Sequence, residues 1–180
     1  MIRTYSQIIG NPVLREGDGE PAALLQDIII HPDTGKIEGF WVKSLILPVN
    51  NAVIPSESIL EWKKNVYIKD EREIAEPGDI IKITEILSRD TLFMGNQVKN
   101  EAGLYLGHVF DLDFDTEKLY LRNMYTQKSF FIFKYDQRLF NYDTIIQVTP
   151  DYIVVQELES KKEKVKNTSI LKDEQPVMDA

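Results

Sequence analysis

Along residues 109–122 apolar and polar side chains alternate. Phe110, Leu112 and Phe114 interleave with Val109, Asp111 and Asp113, and Leu119 and Leu121 interleave with Lys118, Tyr120 and Arg122. A period of two is the signature of a strand, whose successive side chains point to opposite faces. Residues 24–30 and 40–47 are more uniformly apolar and rich in Ile, Val, Phe and Trp, which predicts strands covered on both faces. Further strands are predicted at 12–15, 66–69, 80–86, 130–134 and 152–157. Helix is the minority state. Ser56 or Ser58 can cap a short helix running to Lys64, with Glu61 completing a capping box. Ser6 and Thr91 are expected to start single helical turns before two Gly-Asn pairs.

Those pairs belong to an internal repeat. Ile9-Gly10-Asn11-Pro12-Val13 recurs as Met94-Gly95-Asn96-Gln97-Val98, and residues 25–30 around Asp27 recur as residues 109–114 around Asp111. The turn His31-Pro32-Asp33-Thr34-Gly35-Lys36 faces a shorter Asp115-Thr116-Glu117-Lys118, which lacks the glycine and is expected to form a different turn type. Residues 55–59 leading into 65–68 are echoed by 142–146 leading into 152–155. The expected organisation is a first unit over 1–70, a structured connector over 71–90, a second unit over 91–158 and a disordered polar tail over 159–180. Short strands separated by turns suggest small closed barrels, which remove exposed sheet edges.

Charge then narrows the partners. The chain of 180 residues carries a net charge of −8, so its mean field repels phosphate backbones and anionic membranes. Direct nucleic-acid binding is therefore disfavoured, and the basic run 161–166 reads as solvated linker. No segment approaches the ~20 apolar residues of a spanning helix, which argues against membrane insertion. With no cysteine and no signal-peptide pattern, the expected location is cytoplasmic.

The first copy supplies Gly10-Asn11-Pro12-Val13, Asp27, Pro32-Asp33-Thr34-Gly35-Lys36, the strand residues 37–42 and Ile54-Pro55-Ser56-Glu57-Ser58-Ile59. This pattern resembles the PRC-barrel domain. The second copy supplies Gly95-Asn96-Gln97-Val98, Gly107-His108-Val109-Phe110-Asp111 and Thr116, without the hairpin glycine or the Ile-Pro-x-Glu element. The resemblance implies an all-β chain of two small PRC-barrel-like β-barrels in tandem with short helical turns. It also implies a binding or assembly role, as in a reaction-centre subunit and a ribosome maturation factor, and carries no catalytic residues with it. Fold alone does not specify function.

Asp111, Asp113 and Asp115 have the spacing that opens a calcium loop, but Thr116 and Arg122 stand where such a loop needs its glycine and its bidentate glutamate. Three aspartates so spaced read as a solvated strand edge. His31 and His108 belong to no metal-ligand or nucleophile pattern, and no phosphate-binding glycine loop is present in the sequence. The expectation is a protein that is not an enzyme and uses no cofactor or metal. Aromatic residues crowd between 120 and 142, where the second copy carries an insertion, and Tyr120, Arg122, Tyr125, Phe131, Tyr135 and Arg138 form the candidate protein-contact patch. Trp41 and Trp62 are expected to pack in the core or between copies. The leading functional expectation is a non-catalytic protein-binding adaptor or assembly module. The alternative is an accessory factor in ribosome maturation or RNA processing that acts through a basic ribosomal protein.

Overall fold

Alternating side chains punctuated by turns build two curled β-sheets, one of them a half-barrel. The structure is a computed structural model and describes residues 1–49, 51–130 and 133–156, so the tail expected over 159–180 lies outside the described residues. The chain opens with β1 (Ile2–Thr4), α1 (Tyr5–Ile8) and β2 (Pro12–Arg15). It continues through β3 (Pro21–Ile30), β4 (Ile37–Ser44), β5 (Ala52–Pro55), β6 (Ile59–Trp62) and β7 (Val66–Ile68). Helix α2 (Ile81–Leu87) leads to β8 (Gln97–Asn100), β9 (Tyr105–Asp115), β10 (Tyr120–Phe130), β11 (Phe133–Asn141), β12 (Ile145–Val148) and β13 (Tyr152–Val155).

The first sheet is ordered β5-β4-β3-β2-β7-β6 and the second β11-β10-β9-β8-β13-β12, with β1 added alongside β9. The two orders are the same arrangement of equivalent strands, down to the parallel pairs β2–β7 and β8–β13. Backbone bonds repeat as well. Gly10 N–H donates to the Leu25 carbonyl at 2.8 Å and Gly95 N–H to the Val109 carbonyl at 2.9 Å. The duplication legible in the sequence is thus a duplication of strand order.

The two halves meet across a local pseudo-twofold axis. Ile37 N–H donates to the Leu119 carbonyl and Leu121 N–H to the Gly35 carbonyl, both at 2.8 Å, with Lys36 paired antiparallel to Tyr120 between them. Residues 35–37 and 119–121 are equivalent in the repeat, so this contact is isologous within one chain. It also corrects the expected difference between the hairpins. Both turns have the same span, closed by Gly35 N–H to the His31 carbonyl at 2.9 Å and by Leu119 N–H to the Asp115 carbonyl at 2.8 Å. Leu119 adopts φ 54° where Gly35 has 68°. A left-handed leucine costs about 1–2 kcal/mol, and the reciprocal bonds hold it there. At Gly35 a Cβ would also come within 2.6 Å of the Tyr142 ring.

A single apolar cluster runs through both halves, from Val13, Phe40 and Ile54 to Leu112, Phe114 and Met124. Trp62 joins them, its ring centroid 5.5 Å from Phe40 and 5.7 Å from Phe114, as expected of a residue packing between copies. On β9 the alternation is broken by a register shift opposite Tyr125 and Thr126. Val109 and Leu112 are therefore both buried, while Phe110 is only half-buried.

Three local expectations are corrected. Residues 80–86 form helix rather than strand: Ile83 and Ile86, three positions apart, face Ile29 and Val53, while Ile81 points away with 77% of its surface exposed. The helix expected after Ser58 is absent. A 3-10 turn at Ser56–Ser58 gives way to β6, which pairs with β7 and so gains a ladder that an isolated turn of helix lacks. Thr91 starts no helical turn; the Gly95-Asn96 pair follows a simple turn in which Asn96 N–H donates to the Phe93 carbonyl at 3.2 Å. The turn near Ser6 does form, as α1, with Ser6 inside it.

Because Trp62 closes a core common to both halves, Trp62→Ala is expected to lose about 3–5 kcal/mol. Urea denaturation followed by far-UV circular dichroism and by Trp41 fluorescence should show one transition at a lower midpoint. Two separated transitions in the parent protein would contradict the common core.

Candidate contact surface

The strands distribute the six residues of the predicted patch over separate environments. Tyr120 begins β10 at the pseudo-twofold axis and remains 43% exposed. Arg122, two residues on, is exposed as well. Tyr125 lies farther along β10, where its hydroxyl donates to Asp113 Oδ2 at 2.7 Å and its ring packs 6.2 Å from Phe110. Arg138, on β11 opposite Thr126, pairs with Asp136 at 3.1 Å. The Tyr135 backbone pairs with Lys128, and Phe131 lies outside the described residues.

Tyr120 lines a polar cleft of about 360 Å³ together with His31, Lys36, Lys82 and Arg89. The two turns and α2 bring these groups together from three parts of the chain. Lys36 Nζ donates to Glu38 Oε2 at 2.9 Å, and this bond holds the ammonium pKa above its ordinary value. Lys82 reaches the same carboxylate at 3.8 Å, and Arg89 pairs with Asp33. The cations of this cleft are thus already matched by carboxylates.

A second groove, of about 440 Å³, has a mixed polar and apolar lining, with Glu61 and Thr116 among its residues. One wall is Ile59, Leu60 and Trp62 of β6, and the other is Met1, Glu117 and Leu119, the last two from the turn between β9 and β10. It therefore lies at the junction of the two halves, beside an edge strand of the first sheet. Leu60 is 51% exposed, and its repeat equivalent on β12, Ile146, is 53% exposed. The indole Nε1 of Trp62 is buried with no hydrogen-bond partner among the described residues. The sequence reading concentrated on residues 120–142 and missed this groove. The available signal was the pair Leu60 and Ile146, apolar side chains at matching positions of two short edge strands.

The acidic triplet is occupied by the fold. Asp111 accepts from Ser6 N–H at 3.1 Å and Ser6 Oγ at 2.6 Å, and Asp113 accepts from Asn123 and Tyr125. Asp115 accepts from the amides of Glu117 and Lys118 in its turn. Asp113 is only 5% exposed and β9 lies inside the sheet, so the expected solvated strand edge is corrected. Among the described residues no group of three or more His, Asp or Glu side chains is arranged to hold a metal ion.

Asp27, the repeat equivalent of Asp111, is fastened to the same helix. Burial raises its pKa, opposed by hydrogen bonds from Ile28 N–H and the Tyr5 hydroxyl. Burial, and then the charge of Asp27, pushes the Tyr5 phenol up to about 12. Helix α1 thus ties equivalent aspartates of both halves through Tyr5 and Ser6. A carboxyl whose folded pKa lies above its unfolded value contributes a cost that grows as pH rises through the raised value. Asp27→Asn removes that cost, so the Tm of the variant relative to the parent should be higher at about pH 7 than at about pH 4. A Tm difference independent of pH in paired thermal melts would contradict this assignment. In comparison with known proteins, no family model and no curated protein matches this chain.

Proposed function

We propose that this chain is a non-catalytic protein-binding adaptor or assembly module built on tandem PRC-barrel-like units. The observation that carries the reading is the groove between Leu60 and Leu119, made jointly by the two halves and edged by an exposed strand. A groove of this size beside an edge strand suits a side chain of a protein partner, with exposed Leu60 as an apolar contact. The equivalent strand presents Ile146, so the duplication offers a second apolar position of the same kind. The cleft at Tyr120 supplies a neighbouring polar surface with matched charges, the composition of an interface rim rather than its centre.

The net charge of −8 favours a basic partner. A ribosomal protein meets that requirement and keeps the ribosome-maturation reading as the alternative within the same binding role. No described helix is long and apolar enough to cross a membrane.

Photocrosslinking from a reactive residue in place of Glu61 tests the proposal. A defined protein adduct is expected, and Leu60→Asp should reduce it at least tenfold, since burying a leucine side chain is worth about 1.5–3 kcal/mol. The Tm of the variant should stay within a few degrees of the parent, because Leu60 is exposed. An adduct indifferent to Leu60→Asp, or no adduct, would overturn the role assigned to the groove. Co-sedimentation of the adduct partner with small-subunit precursors would select the alternative.

A further inference from the structure

Ser6 and Thr91 are equivalent in the repeat, for Thr91 lies as far beyond Ser6 as Gly95 lies beyond Gly10. Ser6, in the first half, fastens Asp111 of the second through its N–H at 3.1 Å and its hydroxyl at 2.6 Å. A twofold relation between the halves would have Thr91, in the second half, fasten Asp27 of the first. That reciprocal bond is not made. The Thr91 hydroxyl is buried with no hydrogen-bond partner among the described residues, and Asp27 accepts from Ile28 N–H and the Tyr5 hydroxyl instead. The two approaches differ in backbone. Ser6 stands inside the helical turn α1, whereas Thr91 follows Asp90, whose φ of 52° marks the left-handed exit from α2.

Thr91 and Asp27 both line a cavity of about 70 Å³. Its other walls include Ile86 of α2, Trp41 of β4, Leu112 of β9 and Phe93, so it lies where the connector and both halves converge. A space of this size holds roughly two water molecules, each claiming ~30 Å³. Water enters such a site when polar groups receive it, and two are present. A carboxylate offers about four acceptor positions. Asp111 fills three of them, since Leu112 N–H donates to it at 2.9 Å besides the two bonds from Ser6, while Asp27 has only its two donors. Asp27 is thus one donor short of its equivalent, and burial is the largest cause of its raised pKa. An unpaired buried hydroxyl is destabilising, and a bridging water satisfies it nearly as well as a direct bond.

We propose that this cavity is a binding site for a pair of water molecules that bridge Thr91 to Asp27. One is bonded to the Asp27 carboxylate, the other to the Thr91 hydroxyl, and each to its neighbour. The bridge supplies through water what Ser6 supplies directly at Asp111, so each half fastens the equivalent aspartate of the other. It also holds the segment between α2 and β8 against β3, where Phe93 and Met94 pack on the common core.

Oxygen-17 relaxation dispersion of the full-length protein tests the bridge, because it counts water molecules held longer than molecular tumbling and does not see exchanging hydroxyl protons. Thr91→Val keeps the outline of the side chain and removes the hydroxyl. It should lower the count by at least one and lower the Tm by about 2–5 °C, the loss of one net hydrogen bond in a chain of this size. Thr91→Ser keeps the hydroxyl and should keep the count. An unchanged count in Thr91→Val would overturn the proposal. A Tm at or above the parent's would do the same, since that is the result expected of a hydroxyl buried unpaired in a dry cavity. A small organic molecule seen by native mass spectrometry on the parent and lost from Thr91→Val would assign the cavity to another ligand and overturn it equally.

Discussion

The architecture depends on two turns that hydrogen-bond each other. With Ile37 bonded to Leu119 and Leu121 to Gly35, the two sheets are held in a fixed relation, which the β1–β9 ladder and the Ser6–Asp111 bonds reinforce. The constraint is strong enough to place a leucine in the left-handed region, since a different turn at 115–120 would present the wrong carbonyl. Trp62 then fills the space that this pairing leaves between Phe40 and Phe114, and the two sets of apolar side chains become one core.

Duplication sets the pattern, and the departures from it make each half different. Asp27 and Asp111 occupy one position and are both tied to α1, yet one is bound by a tyrosine and the other by a serine. Ile29 and Asp113 occupy another, and the change from isoleucine to aspartate is matched by the change from Gly39 to Asn123 across the strand. The two substitutions belong together, because the buried carboxylate of Asp113 needs donors nearby and Asn123 supplies one. The first half covers its outer face with an apolar helix, whereas the second offers a face with hydrogen-bonding groups at its centre.

The proposed binding role rests on what the pairing exposes. The groove between β6 and the β9–β10 turn exists only because the two halves are apposed, and its lining draws on residues as distant as Met1 and Leu119. Its two walls are therefore set by the turn pairing that apposes the halves.

Much of this was legible in the amino-acid order. The Gly-Asn pairs, the two aspartates and the alternation of β9 and β10 disclosed a repeated strand-built unit, because each reports a local requirement of turn or pleat. Residues 80–87 were misread since Ile81 and Ile83 satisfy a period of two as well as Ile83 and Ile86 satisfy a helical one, and only the face presented by Ile29, Trp41 and Val53 decided between them. Leu119 gave no sign of its turn, for its conformation is imposed by Gly35 on the other half rather than by its own side chain. Local periodicity thus determined which stretches became strands and that they came in two sets. Tertiary structure alone decided how the sets face one another, where Trp62 wedges, and which exposed leucine borders a groove, because each of those outcomes is a contact between residues far apart along the chain.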